Sequence, residues 1–118
     1  MSLNPQHYSD IASYVEQELY PIEAKLQHAS FYSILPLLEE HRAQVKSLGW
    51  WAPHMPSELG GMGLSLLELA RVGELLGRSP IGHFVFGCQA PDAGNMEVLH
   101  QFGTSEQKTL YLNPLIQG

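Results

Sequence analysis

The sequence predicts an all-α fold, an up-and-down-like bundle of five to six helices. Three observations carry that expectation. Apolar residues recur every three or four positions in successive segments, two capping boxes mark helix starts, and no stretch reads convincingly as a strand. With 118 residues the chain has room for one domain and a real core. Hydrophobic residues make up 44% and charged residues 15%, which marks a folding sequence and suggests that some of its surface meets a partner or another domain.

The first helix opens at Asn4-Pro5, a cap residue followed by the proline that suits a first turn. Tyr8, Ile11, Ala12, Val15, Leu19, Ile22 and Leu26 then draw one apolar stripe. Pro21 interrupts the ladder by removing the bond to the carbonyl of Gln17, so a kink is expected there. Met1-Ser2-Leu3 is set aside as an added leader. A second helix is expected from near Pro36, with Leu38, His41, Val45 and Leu48 on one face and Gly49 as a left-handed cap.

Trp50 to Gly63 reads as a loop, but its Trp-Trp pair and Met55 make it too apolar for a free linker, and it is expected to pack. Ser65-Leu66-Leu67-Glu68 is a capping box for a third helix. Its run of Leu66, Leu67, Leu69, Ala70, Val72, Leu75 and Leu76 predicts a central, buried element closed by Gly77. A fourth helix is expected from Ser79-Pro80 through Phe86, and a fifth from Pro91-Asp92 to just before Gly103. Thr104-Ser105-Glu106-Gln107, a second capping box, starts a final short helix that should end before Pro114.

Six Lys and Arg against twelve Asp and Glu give a net charge of −6, which argues against nucleic acid because no cation cluster is present to replace counterions. No apolar run approaches the length of a membrane span, and the first residues lack the pattern of a secretory signal. The single cysteine, Cys88, cannot form an internal disulfide, so a reducing cytoplasm is the expected compartment.

Leu59-Gly60-Gly61-Met62-Gly63 invites a phosphate-cradle reading. It lacks Gly-x-Gly-x-x-Gly, a following Lys-Ser/Thr and a preceding strand, so a tight turn admitting the third helix is the better reading. Gly73 to Ser79 resembles a phosphate loop even less. His7, His28, His41, His54, His83 and His100 are scattered without metal-pair spacing, and no metal site is expected. Cys88 reads as a small buried side chain, and Glu16-Glu18 and Glu39-Glu40 as solvated faces.

Phe102-Gly103-Thr104-Ser105-Glu106-Gln107-Lys108 followed by Tyr111-Leu112 and Pro114-Leu115 resembles the end of the N-terminal helical domain of acyl-CoA dehydrogenases. Leu48-Gly49-Trp50 with Met55-Pro56-Ser57-Glu58-Leu59-Gly60-Gly61-Met62-Gly63-Leu64 is similar to that family's Pro-x-Glu-x-Gly-Gly-x-Gly segment, and Leu67 to Gly77 resembles the helix after it. Ala90 to Leu99 looks closest to the branch in which the dehydrogenase ends a larger, kinase-like fusion protein. The resemblance implies that residues 4–118 form the N-terminal helical domain. The central FAD-binding β-domain and the C-terminal helical domain that carries the catalytic glutamate would be absent.

In the full-length family enzyme that glutamate removes the α-proton of an acyl-CoA thioester while hydride passes from the β-carbon to FAD. What the resemblance assigns to this chain is a wall of the acyl pocket, at Phe84, Val85, Cys88, Gln89 and Ala93. An ordinary core role for those five side chains stays equally open. No catalytic or FAD-binding residue, and no bound FAD, is expected in this chain alone. Exposed helical faces make a homo-oligomer the expected state. The alternative is a free-standing helical binding or assembly module that has lost the enzyme.

Overall fold

The computed structural model, described for residues 2–118, holds six helical rods and no strand among those residues. The first rod runs from α1 (Pro5–Tyr14) through a π-helical turn (Val15–Leu19) into α2 (Tyr20–Leu26). There follow α3 (Phe31–Ser47), α4 (Leu66–Leu76), the single turn α5 (Gly82–Val85) and α6 (Asp92–Phe102). The last rod joins α7 (Ser105–Gln107), a second π turn (Lys108–Leu112) and α8 (Asn113–Gln117). The shortest dimension of the molecule is 21 Å, about two helix diameters, so the rods lie in two layers around one core.

Prolines account for most of the departures from expectation. The last helix does not end before Pro114. Both Pro21 and Pro114 follow a π turn at the same two-residue offset, and the amides of Tyr20 and Asn113 bond the carbonyls of Val15 and Lys108, five residues back. A π turn has already given up regular α bonds, so a residue without an N–H fits next to it with little further loss. The second helix starts five residues before Pro36, where the Ser30 hydroxyl accepts from the Ser33 amide. Pro36 is tolerated inside α3 because the carbonyl it leaves unbonded belongs to Tyr32, on the solvent side. α5 is also shorter than expected, with Phe86 as its cap.

Both serine/threonine capping boxes form as read, and Asn4 makes a third with His7, whose Nδ1 accepts from the Asn4 amide. The set-aside leader turns out to be fastened. The Leu3 amide donates to Glu68 Oε1 at 2.8 Å and Leu3 packs against the core, whereas Met1 lies outside the described residues. Glu68 Oε2 meanwhile accepts from the Ser65 amide and hydroxyl at 2.9 and 2.8 Å.

These donors hold the Glu68 carboxyl down at about 2, the Leu3 amide being the largest cause and Ser65 the next. Because the folded value lies below the unfolded one, the box and strap contribute fully above the ordinary carboxylate range and are lost as pH falls toward 2. In an NMR titration, the Glu68 carboxyl and the Leu3 amide should therefore move together near pH 2. A Glu68 midpoint at the ordinary carboxylate value would contradict this.

α4 is not the central helix that its composition suggests. Val72 and Leu76 are buried, but Leu66 is 83% and Leu67 64% exposed. The helix packs on α1 and α5 along one stripe and leaves the two leucines of its first turn outside. The core itself comes from Ile11, Val15 and Leu19, from Leu38 and Val45 on α3, and from Met96, Leu112 and Ile116.

Loop 50–63 packs into that core as expected. Trp51 Nε1 donates to the Ile116 carbonyl at 2.7 Å, and the Ala52 amide donates to the Phe86 carbonyl at 2.9 Å. Gly49 takes the left-handed conformation, with φ 76°, that lets the chain leave α3 toward this loop.

Candidate functional site

Residues 84–93 form a ridge between two clefts, and the five residues assigned to the pocket wall divide across it. Cys88 and Ala93 line one cleft, Phe84 and Gln89 line the other, and Val85 is fully buried between them. The ridge is held by its own backbone. The Cys88 amide donates to the His83 carbonyl and the Ala93 amide to the Gln89 carbonyl, both at 2.9 Å. α5 can approach α4 this closely because residue 82 is glycine; a Cβ there would collide with the Leu76 carbonyl.

The first cleft, about 270 Å³, has an apolar side made of Leu69, Val72 and Leu76 from α4, facing Cys88 and Ala93. His54 and Glu97 close it. Both ring nitrogens of His54 are buried without a hydrogen-bond partner, and burial lowers its pKa, opposed in part by Glu97. Burial pushes the Cys88 thiol up to about 12. It is therefore a protonated, apolar wall element at neutral pH and a poor nucleophile. Alkylation by iodoacetamide at pH 8 should run at least about 100-fold slower in the folded chain than after denaturation. Equal rates by mass spectrometry would show the thiol to be accessible and ionised.

The second cleft, about 290 Å³, lies on the α3 side of the ridge. Its floor is Arg42, only 5% exposed, with the guanidinium carbon 4.8 Å from the Trp51 ring and 4.3 Å from the Phe84 ring. Arg42 and His54 were both missed by sequence reasoning. Arg42 had a signal, because it stands four residues after Leu38 and three before Val45, on the apolar stripe of α3. His54 had none, since only the folded loop turns it toward α6.

The glycine loop does not fit a flavin pyrophosphate. The Gly60 and Gly61 amides donate to the Ser57 and Pro56 carbonyls at 3.0 Å, and the Gly63 amide donates to the Met55 carbonyl at 2.9 Å. With these donors turned inward, the loop is a structural turn. No helix among the described residues is long and apolar enough to cross a membrane.

Comparison with known proteins agrees with this architecture. The family described as "Acyl-CoA dehydrogenase, N-terminal domain" matches residues 7–118. Acyl-CoA dehydrogenase family member 10 of Mus musculus is 38% identical over 120 residues, covering 94% of this chain and 11% of that protein. Acyl-CoA dehydrogenase family member 11 of Gallus gallus is 36% identical over 118 residues, covering 92% and 14%. A solved structure from Mycobacterium abscessus, assigned to the acyl-CoA dehydrogenases, superposes with a TM-score of 0.81 at 30% identity, covering 99% of this chain and 33% of that one. The chain thus spans only a small part of the length of the proteins it matches. With the family match spanning residues 7–118 and the superposition covering 99% of its residues, the chain belongs to the acyl-CoA dehydrogenase family and corresponds to its N-terminal helical domain.

Proposed function

We propose that this domain walls the acyl pocket of a flavin-dependent acyl-CoA dehydrogenase and is inactive by itself. Residues 4–118 would be one part of a three-domain subunit whose FAD and catalytic glutamate sit on the other two. The observation that carries this reading is the first cleft, where Cys88 and Ala93 face the α4 leucines across about 270 Å³ of largely apolar space. Such a surface accepts an alkyl chain by burial alone, at about 0.8 kcal/mol per methylene removed from water. This chain's residues would bind and orient the acyl tail and exclude water from it. FAD, held elsewhere, would supply the redox step on an acyl-CoA thioester.

The exposed apolar side chains favour this over a free-standing module. Leu66, Leu67, Phe102, Leu110 and Tyr111 all stand in solvent, as expected of faces that other domains cover. The same faces support self-association of the isolated chain. A lone thiol with no disulfide fits a cytoplasmic setting. The likeness to family members 10 and 11 supports the branch with larger fusion proteins.

The test has two arms. The purified 118-residue chain should show no flavin absorbance and should not reduce an electron acceptor when given acyl-CoA. In a longer dehydrogenase carrying this domain, Ala93→Trp should lower kcat/KM for long acyl chains about tenfold or more relative to short ones, with flavin content retained. An unchanged chain-length preference would sink the pocket-wall assignment.

A further inference from the structure

Where α6 gives way to the last rod, the chain builds a groove with an aromatic side chain standing at its edge. The Gly103 amide donates to the Leu99 carbonyl at 2.9 Å, and a Cβ at residue 103 would collide with that same carbonyl. Glycine thus permits a sharp turn, the Thr104 capping box starts the next helix at once, and the last rod packs against α6. Met96 is buried and Leu99 packs against the core, whereas Val98 and Phe102, four residues apart on α6, are 59% and 79% exposed. On the last rod Tyr111 is 61% exposed. These three side chains, with Leu99, Gly103 and Gln107, line a groove of about 230 Å³, and none of the six residues is charged.

We infer that two copies of this chain pair through this groove, Phe102 of each copy seating in the groove of the other. The volume suffices, because a cavity of about 150 Å³ already holds a benzene ring. Symmetry imposes no further condition on spacing. A knob and a groove on one face are exchanged by the two-fold axis that bisects the line between them, so the face is self-complementary. Val98, Phe102 and Tyr111 together expose about 400 Å² of side chain, half of the roughly 800 Å² that each partner gives to a standard interface. Glu97, Glu106 and Lys108 lie outside the lining, so pairing strips no charge in the groove of its water. The inference deepens the self-association proposed above by naming its face, and it rests on no other part of that reading.

Sedimentation equilibrium of the 118-residue chain, from about 10 μM to about 1 mM, should show a monomer–dimer equilibrium. Phe102→Glu changes a side chain that stands in solvent, so the circular dichroism spectrum should be unaltered while association weakens at least about 30-fold. Leu66→Glu, an equally exposed leucine on α4, is the control and should change association by less than about twofold. In an equal mixture of labelled and unlabelled chains, isotope-filtered NOEs should join the Phe102 ring of one copy to the Val98 methyls and the Tyr111 ring of the other. The inference is overturned if Phe102→Glu associates as the parent does, or if the contacts between copies avoid Phe102. A dimer disrupted by Leu66→Glu and not by Phe102→Glu would leave self-association standing and overturn this face. A parent that stays monomeric throughout the range would remove both.

Discussion

Replacing Phe86 with alanine should lower the unfolding free energy by about 3–5 kcal/mol, the range for deleting a large buried aromatic side chain. Phe86 is fully buried where the parts of the site meet. Its ring stacks on Trp50 at 6.2 Å between centroids and takes the edge of Tyr14 at 6.0 Å. Its carbonyl accepts the Ala52 amide that ties the loop to the ridge. A domain of this size holds only about 5–15 kcal/mol in total, so the loss is a large fraction of its stability. Urea denaturation followed by tryptophan fluorescence measures it directly. Phe86→Leu, which keeps most of the volume, should cost less than half as much. Equal effects would mean that ring stacking and cavity volume count for little here.

How much of this was legible in the sequence depends on the range of the interaction. Capping boxes are local, and those at Ser65 and Thr104 formed as read because each needs only a residue and its third neighbour. The packed loop was legible too, since two tryptophans and Met55 have no reason to stay in water. The proline rules failed at Pro114 and misplaced the start of α3. They describe a regular α ladder, and the chain uses a π turn in one case and a solvent-facing carbonyl in the other. α4 misled for a different reason. Composition counts leucines, but only packing decides which stripe is covered, and Leu66 and Leu67 were left outside.

The site was legible as a segment and not as a surface. Residues 84–93 were singled out together, yet the backbone turns between Phe84 and Ala93 so that neighbours in sequence face opposite clefts. The partners they meet come from far away: Arg42 and Trp51 on one side, His54 and Leu69 on the other. No periodicity within the segment encodes those meetings.

Gly61→Ala should destabilise the chain by about 3 kcal/mol, more than a typical point change, although it adds a single methyl group. The added Cβ would collide with the Met55 carbonyl and stand 2.7 Å from the Ala52 carbonyl oxygen. Neither can step aside like the end of a flexible side chain. The Met55 carbonyl accepts the Gly63 amide at 2.9 Å, and the Ala52 carbonyl accepts the Met55 amide at 2.9 Å. Relieving the clash would therefore pull on the turn that delivers Ser65 to its capping position, and on the bond from Ala52 to Phe86 beneath the ridge.

Two other glycines separate this close approach from glycine's general properties. Gly60 has φ 91° but open space around it, so Gly60→Ala should cost only about 1–2 kcal/mol of backbone strain. Gly94 sits within α6, also in open space, and Gly94→Ala should stabilise by about 0.5–1 kcal/mol through helix propensity. Urea midpoints in the order Gly94→Ala, parent, Gly60→Ala, Gly61→Ala, from highest to lowest, would place the constraint in the Met55 and Ala52 carbonyls. If Gly60→Ala and Gly61→Ala lost the same amount, backbone conformation alone would account for both, and the close approach at Gly61 would carry no weight.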